Sequence, residues 1–252
     1  MYNKKCQICN NVSIPLDVVD FNKSCIEANG KFLHKSLHPV YYFICEKCGF
    51  AFAPELYLWS EEKFKSNIYN AKYELVDPDY KSVRPLSNAK MLLQTFQSLE
   101  NRFFHLDYGG GSGLLSKVLS QNNWNSKSFD KFYDDTYTLE HLGKFDLITL
   151  YEVFEHVVDV NSLMKDIKLL LNENGLVLFS TLLSDGNISS FGRLNWWYAS
   201  PRNGHISLFS QKSLELLAEQ YSFHFLSFNN GLHCFYGKKN IFLDLLIKRF
   251  TK

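Results

Sequence analysis

Two kinds of feature are missing from this sequence, and each absence narrows the class of protein. No apolar run approaches the length of a membrane-spanning helix, and Met1–Lys5 lead straight to Cys6 without the apolar segment of a signal peptide. An excess of charge of one sign is missing as well, because the formal net charge is +1. We therefore expect a cytoplasmic protein without a membrane span, and nothing indicates a polybasic surface for nucleic acid.

What remains is the composition of a folded globular chain. It has 252 residues, of which 46% are hydrophobic and 16% aromatic. This apolar content argues against a disordered tail. The length suits one α/β domain with an appendage and is enough to bury a substantial core.

The most informative stretch is rich in glycine and runs from Asp107 to Gly113. It follows an apolar run and precedes apolar residues at helical spacing, namely Leu114, Leu115, Val118 and Leu119. This order predicts a strand, a tight turn and a helix. Such a turn lets the backbone approach a ligand closely, and the helix offers unpaired N–H groups. We predict a nucleotide-type cofactor site at this turn.

Two common nucleotide motifs are absent from this stretch. The dinucleotide fingerprint requires a third glycine, but Leu114 or Ser116 stands there in the two possible frames. A Walker loop needs Gly-Lys-Ser/Thr, which does not occur. The pattern Asp107-x-Gly109-x-Gly111-x-Gly113 instead resembles motif I of the class I S-adenosylmethionine (SAM)-dependent methyltransferases. The resemblance implies that Asp107, Gly109, Gly111 and Gly113 lie against the methionine part and ribose of SAM.

A second acidic residue follows at the distance that such a fold requires. Residues 124–130 predict a strand that ends in Asp130, twenty-one residues after Gly109. In α/β nucleotide folds a carboxylate at this position accepts hydrogen bonds from ribose hydroxyls. We therefore predict that Asp130 contacts the cofactor; the alternative is an ordinary solvated residue at a strand end.

The pattern farther along completes an α/β, Rossmann-like sheet. Apolar periodicity predicts helices over 87–100, 161–171 and 211–221, and strands over 103–108, 144–151 and 176–181, with Asn172–Gly175 as a turn. The Asn229-Asn230-Gly231 turn predicts an antiparallel hairpin that closes the largely parallel sheet. The resemblance to the class I methyltransferases covers residues 87–237. Residues 131–143 are short for the expected helix–strand unit, so we predict an abbreviated third strand and name Asp135, Thr136 and Tyr137 as guesses for adenine contacts.

Four of the six cysteines form two CxxC pairs, Cys6/Cys9 and Cys45/Cys48. Two such pairs can present four thiolates to one zinc ion, which would stabilise a small segment with few core residues. The 35 residues between the pairs exceed the commonest zinc-ribbon interval, so the loop must carry structure of its own. We predict a structural zinc module; a redox CxxC lacks its usual βαβ setting here.

A cluster of acids and imidazole follows the strand over 144–151. It reads Glu152-x-x-Glu155-His156. Ligands of open α/β sheets bind beyond the carboxyl ends of the strands, so we expect this cluster at the mouth of the cofactor site. Glu152 is therefore also a candidate cofactor contact. The cluster is similar to the Glu-x-x-Glu-His of ubiquinone-pathway O-methyltransferases and small-RNA 2′-O-methyltransferases. That resemblance implies a magnesium-like ion, Mg or Mn, on Glu152, Glu155 and His156, completed by His205.

The histidines also have an interpretation without metal. His156 or His205 could act as general base toward an acceptor hydroxyl, with Glu155 beside them. His156 could also only hydrogen-bond within its loop. The run Trp196-Trp197-Tyr198 is a candidate wall for the acceptor pocket, although aromatic residues at this density also form cores.

These patterns predict four regions: a zinc-binding module (1–58), a linker or lid (59–86), a SAM-binding methyltransferase domain (87–240) and a tail helix (241–252). We expect O-methylation of a small polar acceptor such as a sugar or a surface-glycan precursor. The zinc-bearing N-terminus resembles C-methyltransferases of nucleotide-linked deoxysugars, but their further C-terminal domain has no counterpart in this sequence. The alternatives are an RNA methyltransferase with an RNA-binding zinc module and a non-catalytic interaction protein. The near-neutral charge argues against the first, and the intact glycine motif against the second.

Overall fold

The computed structural model describes residues 4–99, 102–133, 139–189 and 191–251. They divide into two compact units, each with a sheet of its own. The first unit draws on three separate segments, Met1–Pro78, Phe154–Asn161 and Leu182–Leu217. The second consists of Asp79–Val153, Ser162–Thr181 and Ala218–Lys252. The boundaries at residues 58, 86 and 240 that the sequence indicated stay a prediction.

The strands of the described residues are given in chain order. They are β1 Lys4–Lys5, β2 Val12–Asp20, β3 Pro39–Ile44, β4 Ala51–Phe52, β5 Phe104–Tyr108, β6 Asn125–Phe129, β7 Phe145–Tyr151, β8 Leu171–Ser180, β9 Ser207–Leu208, β10 His224–Asn229 and β11 Leu232–Tyr236.

The α-helices are α1 Glu61–Asn67, α2 Val83–Thr95, α3 Leu114–Gln121, α4 Val160–Leu170, α5 Gln211–Gln220 and α6 Ile241–Phe250. Short 3-10 helices lie between them at Cys25–Asn29, Leu56–Leu58, Tyr73–Leu75, Gln97–Leu99, Leu139–His141, Phe154–His156 and Pro201–Asn203. No helix in the described part of the chain has both the length and the apolar character needed to cross a bilayer.

The second unit is built on a six-stranded sheet in the order β10-β11-β8-β7-β5-β6. The pairs β5/β6, β5/β7 and β7/β8 are parallel, whereas β11 pairs antiparallel with both β8 and β10. The α/β fold with a mostly parallel sheet and a closing hairpin is therefore confirmed. In the described parts of residues 131–143 there is no strand, and Asp135, Thr136 and Tyr137 lie outside the described residues.

One face of this sheet is covered by helices α2, α3 and α6. Ala89 and Leu92 of α2 pack with Leu115 and Leu119 of α3 and with sheet residues that include Leu147 and Cys234. Phe242, Leu243 and Leu246 of α6 join the same apolar core. The C-terminal helix thus docks on this unit because its apolar face is buried against the sheet layer.

Two of the predicted boundaries were wrong. Helix α2 runs from Val83 to Thr95 rather than over 87–100, so Pro85 lies in its first turn, where the missing N–H costs no hydrogen bond. Asn172–Gly175 is an irregularity inside β8 rather than a turn before it, because β8 already pairs with β7 at Leu171. The pairing Phe145↔Leu171 is followed by Leu147↔Leu176, so four residues bulge out of the ladder.

The first unit contains an antiparallel sheet in the order β1-β2-β3-β4-β9. The last strand comes from far along the chain: Ala51 pairs with Leu208 and Phe52 with Ser207. Phe50 and Phe52 are buried, and Phe209 packs 5.0 Å from Phe50, measured between ring centroids. The region between the two CxxC pairs does carry structure of its own, because β2 and β3 form a long antiparallel ladder there.

Candidate cofactor and acceptor sites

The glycine turn lies directly after β5, at the carboxyl end of the central parallel strands. Gly109 has a φ of +76° and a Cβ there would lie 2.5 Å from Cγ2 of Val153, which follows β7. A Cβ on Gly110 would collide with Ser128 Oγ and would lie 2.5 Å from Asp107 Oδ2. Both positions therefore exclude any residue with a side chain. A Cβ on Gly111, by contrast, would meet nothing within 4 Å, so that side of the turn is open.

Asp130 is held against this turn by its own carboxylate. Its Oδ2 accepts a hydrogen bond of 2.8 Å from the Gly111 N–H, and its Oδ1 accepts one of 2.8 Å from the Phe132 N–H. The turn is also tied to the end of β6, because the Gly109 N–H donates to the Phe129 carbonyl at 2.7 Å. Asp130 thus lies beside the open side of the turn, at the strand end where the sequence predicted it.

Asp107 is a buried acid, with a side chain that is 4% exposed. Thr149 Oγ1 donates to Asp107 Oδ1 at 2.9 Å. Burial raises the pKa of Asp107 to about 7, the Thr149 hydrogen bond opposes that shift, and the charge of Asp130 adds to it. The acid therefore changes its charge near neutral pH.

Two further hydroxyl groups surround the turn. Ser128 Oγ is buried and, within the described residues, has no hydrogen-bond partner. The Tyr151 hydroxyl at the end of β7 is likewise buried without a hydrogen-bond partner among the described residues. Burial raises the pKa of Tyr151 well above the usual value. Buried polar atoms of this kind are normally satisfied by a partner, so their presence fits a site that receives a polar ligand.

Glu152 follows β7 in a left-handed conformation, with a φ of +56°. Its N–H donates to Ser180 Oγ at 2.8 Å, and Ser180 Oγ donates in turn to Glu152 Oε1 at 2.9 Å. A non-glycine residue held in this strained region is common where a side chain must be aimed at a ligand. Its roles as cofactor contact and as metal ligand stay predictions.

A second group of predicted residues meets inside the first unit. Glu155 and His156 lie on the 3-10 helix Phe154–His156, and His205 follows the turn at Gly204. One ligand atom from each of Glu155, His156 and His205 lies within 4.8 Å of the others. The two imidazole centroids are 4.9 Å apart. The sequence predicted that these three residues share one site, and in the structure their side chains do lie close to one another.

The hydrogen bonds of the two histidines fix which ring nitrogen carries the proton. His156 Nδ1 lies 3.1 Å from the Gly204 carbonyl, and His205 Nδ1 lies 2.8 Å from the Tyr198 carbonyl. A carbonyl can only accept, so each Nδ1 is the donor and each neutral ring keeps its lone pair on Nε2. This arrangement leaves Nε2 able to accept a proton or to bind a cation.

Two neighbours of this cluster were not assigned to it from the sequence. The Tyr198 hydroxyl donates to Glu155 Oε1 at 2.7 Å, and Glu155 is fully buried. Cys25 Sγ lies 3.8 Å from His205 Nδ1. The aromatic run before His205 signalled that Tyr198 matters, but the contact of Cys25 with a residue 180 positions away had no local signal.

The four cysteines of the CxxC pairs also meet in the first unit. Cys6 Sγ lies 3.6 Å from Cys48 Sγ, and Cys9 Sγ lies 3.3 Å from Cys45 Sγ. All four sulfur atoms lie within 4.8 Å of one another, and three of the residues are buried. Four thiolates at about 2.3 Å from a tetrahedral zinc ion would be about 3.8 Å apart. The donor set and its spacing therefore fit zinc.

Comparison with known proteins identifies a family to which this chain is similar. A family model described as a methyltransferase domain matches residues 70–227. A ubiquinone biosynthesis O-methyltransferase from Colwellia psychrerythraea is 29% identical over 100 residues, which is 31% of this chain and 41% of that protein. The chain thus matches less than half the length of this curated relative.

Solved structures with a similar fold include an N1-methyltransferase for 1,6-didemethyltoxoflavin from Burkholderia thailandensis. It is 12% identical, with 80% of this chain and 96% of that chain covered at a TM-score of 0.48. The magnesium protoporphyrin IX methyltransferase of Synechocystis is 14% identical, with 60% and 80% covered at a TM-score of 0.39.

Proposed function

Because the chain belongs to the methyltransferase-domain family, we propose that it is an enzyme that transfers a methyl group from SAM to a small polar acceptor. The observation that carries this proposal is the turn Asp107-x-Gly109-x-Gly111-x-Gly113 at the end of β5, with the Asp130 carboxylate bonded to it. Glu152, at the end of the neighbouring β7, is included as a third acidic contact.

The residues at the turn fit SAM in shape and in chemistry. Gly111 is open on its outer side, where a side chain would otherwise stand between the turn and a ligand. Asp130 presents carboxylate oxygens that can accept from ribose hydroxyls, and Ser128 offers a buried hydroxyl without a partner in the described residues. SAM, when bound, supplies a methyl group on a positively charged sulfonium, and the negative charge of Asp107 and Asp130 complements it.

The acceptor is proposed to be a hydroxyl group, as on a sugar or a surface-glycan precursor. Support comes from the Glu152-x-x-Glu155-His156 pattern and from the partial similarity to a ubiquinone biosynthesis O-methyltransferase. A hydroxyl must lose its proton as it is methylated, and a neutral imidazole with its proton on Nδ1, as in His156 or His205, can accept that proton on Nε2.

The same three side chains support a second role, as ligands of a divalent cation such as Mg or Mn. Glu155 supplies a carboxylate fixed by Tyr198, and each imidazole has its Nδ1 fixed on a carbonyl, an arrangement common in metal-binding histidines. A cation at this cluster would lower the pKa of a bound acceptor hydroxyl.

The four cysteines are proposed to hold a structural zinc ion that stabilises the first unit.

Calorimetric titration with SAM tests the cofactor assignment directly. We expect one site per chain, and about a tenfold or greater loss of affinity in Asp130→Asn, because hydrogen bonds to a charged group contribute about 1.5–3 kcal/mol. Asp244→Asn on the exposed side of α6 is the matched control and should bind normally. Absence of SAM binding by the unaltered protein would reject the enzyme proposal.

Titration with Mn²⁺, followed by the EPR signal of the free ion, separates the two roles of the histidine cluster. Stoichiometric binding that disappears in Glu155→Gln, but not in the exposed Glu215→Gln, would support the cation site. If no Mn²⁺ binds, the base role predicts that His156→Gln and His205→Gln lower methyl transfer to hydroxylated acceptors by about 10²-fold or more. Unchanged transfer in both variants would remove this cluster from the mechanism.

A further inference from the structure

A row of polar side chains lies under the glycine turn, on the sheet face that is otherwise packed with apolar residues. His105 and Asp107 are two residues apart on β5 and so point to the same face. His105 is fully buried, and its ring lies 5.8 Å from that of Trp124, measured between centroids. A buried imidazole among apolar side chains costs free energy unless both nitrogens are hydrogen-bonded.

Both nitrogens of His105 are in fact hydrogen-bonded. Nε2 lies 3.0 Å from Thr149 Oγ1 on β7, and Nδ1 lies 2.7 Å from Ser126 Oγ on β6. Ser126 Oγ lies 2.5 Å from Ser116 Oγ on α3. Thr149 Oγ1 then bonds to Asp107 Oδ1 at 2.9 Å. The five side chains form one continuous hydrogen-bonded chain, called the Asp107 chain below: Ser116, Ser126, His105, Thr149 and Asp107.

The direction of every bond in the Asp107 chain follows from its acidic end. Thr149 has one hydroxyl proton, which it donates to the Asp107 carboxylate, so it must accept from His105 Nε2–H. Burial lowers the pKa of His105 to about 3, so the ring is neutral and its Nδ1 accepts from Ser126. Ser126 in turn accepts from Ser116. All protons point toward Asp107, an alignment in which each bond strengthens the next.

We infer that His105 is a positioning residue that acts through Thr149 to hold the Asp107 carboxylate in its ionised form and in one orientation beneath the glycine turn. The inference rests on the proposed function, because it assigns His105 to the SAM site. His105 does not touch the proposed cofactor contacts itself; it orients and polarises the Thr149 hydroxyl, which touches one of them.

Other titratable groups near Asp107 also affect its pKa. Asp130, at the end of β6, raises the pKa of Asp107, and Tyr151, at the end of β7, is a neutral buried phenol in the working pH range. On α3, which packs on the same face, Lys117 is exposed. The Asp107 chain therefore supplies the hydrogen bond that opposes burial and the charge of Asp130.

The test measures SAM affinity by calorimetry between pH 5.5 and 9. In the unaltered protein we expect SAM affinity to fall as the pH drops below about 7, because Asp107 then becomes protonated. In His105→Phe the midpoint is expected to rise by about one pH unit, which weakens binding about fivefold at pH 7 and less than about twofold at pH 9. Thr149→Val removes the final bond to Asp107 itself and should give a shift in the same direction that is at least as large, and adding His105→Phe to it should give no further shift.

Two variants distinguish positioning from a general loss of stability. His105→Gln can place its amide N–H where Nε2 stands and should restore the original midpoint in part. His233→Phe removes another buried neutral histidine of the same sheet, which bonds to Thr181 and Ser227, and should lower stability without moving the midpoint. If His105→Phe does not fold, Ser126→Ala keeps the imidazole but removes the donor to Nδ1, together with the acceptor of Ser116, and should give a smaller shift in the same direction.

The ¹³C resonance of the Asp107 carboxyl, titrated without SAM, gives a second readout. An unchanged midpoint in His105→Phe and Thr149→Val, by both NMR and SAM affinity, would overturn this inference and leave the cofactor assignment intact. An equal shift in His233→Phe would also overturn it. Failure of the unaltered protein to bind SAM at any pH would instead reject the proposed function, and the role of His105 with it.

Discussion

At the scale of single residues, Asp107 shows how the site opposes the stability of the fold. The acid is buried, its pKa lies near 7, and its carboxylate faces a second negative charge at Asp130. An acid whose native pKa is raised favours the folded state while it is protonated. That contribution is complete below the ordinary pKa of about 4 and is lost as the pH rises to about 7.

Asp107→Asn should therefore stabilise the protein at pH 8 while weakening SAM binding. The neutral amide avoids the cost of burying a charge, which for a shift of this size amounts to at most about 4 kcal/mol. Urea unfolding of the second unit at pH 4 and pH 8 measures the difference. The gain should be large at pH 8 and small near pH 4; a gain that is equal at both values would contradict the assigned protonation.

The glycine turn and the two acids near it could be located from the sequence because their signal is local. Asp107 and the glycines are recognised by their resemblance to motif I of the class I methyltransferases and Asp130 by its position at the end of the next strand, and Asp130 does lie beside the turn. His105 carried no such signal, since its partners Ser126 and Thr149 come from two other strands. The inward-facing serines of the short strand β6, where apolar residues are normal, are the feature that could have drawn attention to it.

At the scale of secondary-structure elements, the two CxxC pairs lie in turns that bring four sulfur atoms together. The Gly49 N–H donates to the Cys45 carbonyl at 2.7 Å, and the Asn10 N–H donates to the Cys6 carbonyl at 3.0 Å, so both turns fold back in the same way. The strand pairs β1/β2 and β3/β4 flank these turns. Each of these two pairs has only two paired positions, and an isolated pair of strands is marginally stable in water.

If the proposed zinc ion is held by the four cysteines, Cys45→Ser should remove it and destabilise the first unit by several kcal/mol. Metal analysis of the purified protein should fall from about one zinc per chain to none. Cys234→Ser is the matched control, because Cys234 is a buried thiol on β11 in the second unit. A zinc content of about one per chain in Cys45→Ser would contradict the assignment, because the ion would then be held elsewhere.

Strands and helices were predicted more reliably than their ends. The hairpin of β10 and β11 and the buried strand β7 follow from periodicity and turn residues, which are local properties. The start of α2 and the bulge in β8 depend instead on tertiary pairing. Leu171 enters the ladder because Phe145 lies opposite it, and the sequence near Asn172 does not contain that information.

At the scale of the whole molecule, the first unit is assembled from three separate segments of the chain. Strand β9 pairs with β4, the Ala53 N–H donates to the Ile206 carbonyl at 2.9 Å, and Ser210 Oγ donates to the Cys48 carbonyl at 2.5 Å. These contacts could not be predicted from residues 1–58, because the partner residues lie about 150 positions away in the sequence. The four clustered cysteines could be located from the sequence, but the distant segments that complete this unit could not.

A fragment of residues 1–58 is therefore expected to fold poorly, even with zinc. It lacks β9 and Phe209, so one edge of the sheet and the face of Phe50 would be exposed to water. Amide hydrogen exchange should show less protection of β3 and β4 in the fragment than in the full chain. Equal protection in both would indicate that residues 1–58 form an independent domain.

The late arrival of β9 also has a consequence during biosynthesis. Phe52 is made about 155 residues before Ser207, which at about 5–20 residues per second leaves the nascent chain waiting for about 8–30 s. Throughout that interval four thiols and an aromatic surface are accessible to oxidants and to other nascent chains. The yield of correctly assembled protein should therefore depend on how reducing the cell is and on chaperone supply while the ribosome is still at work.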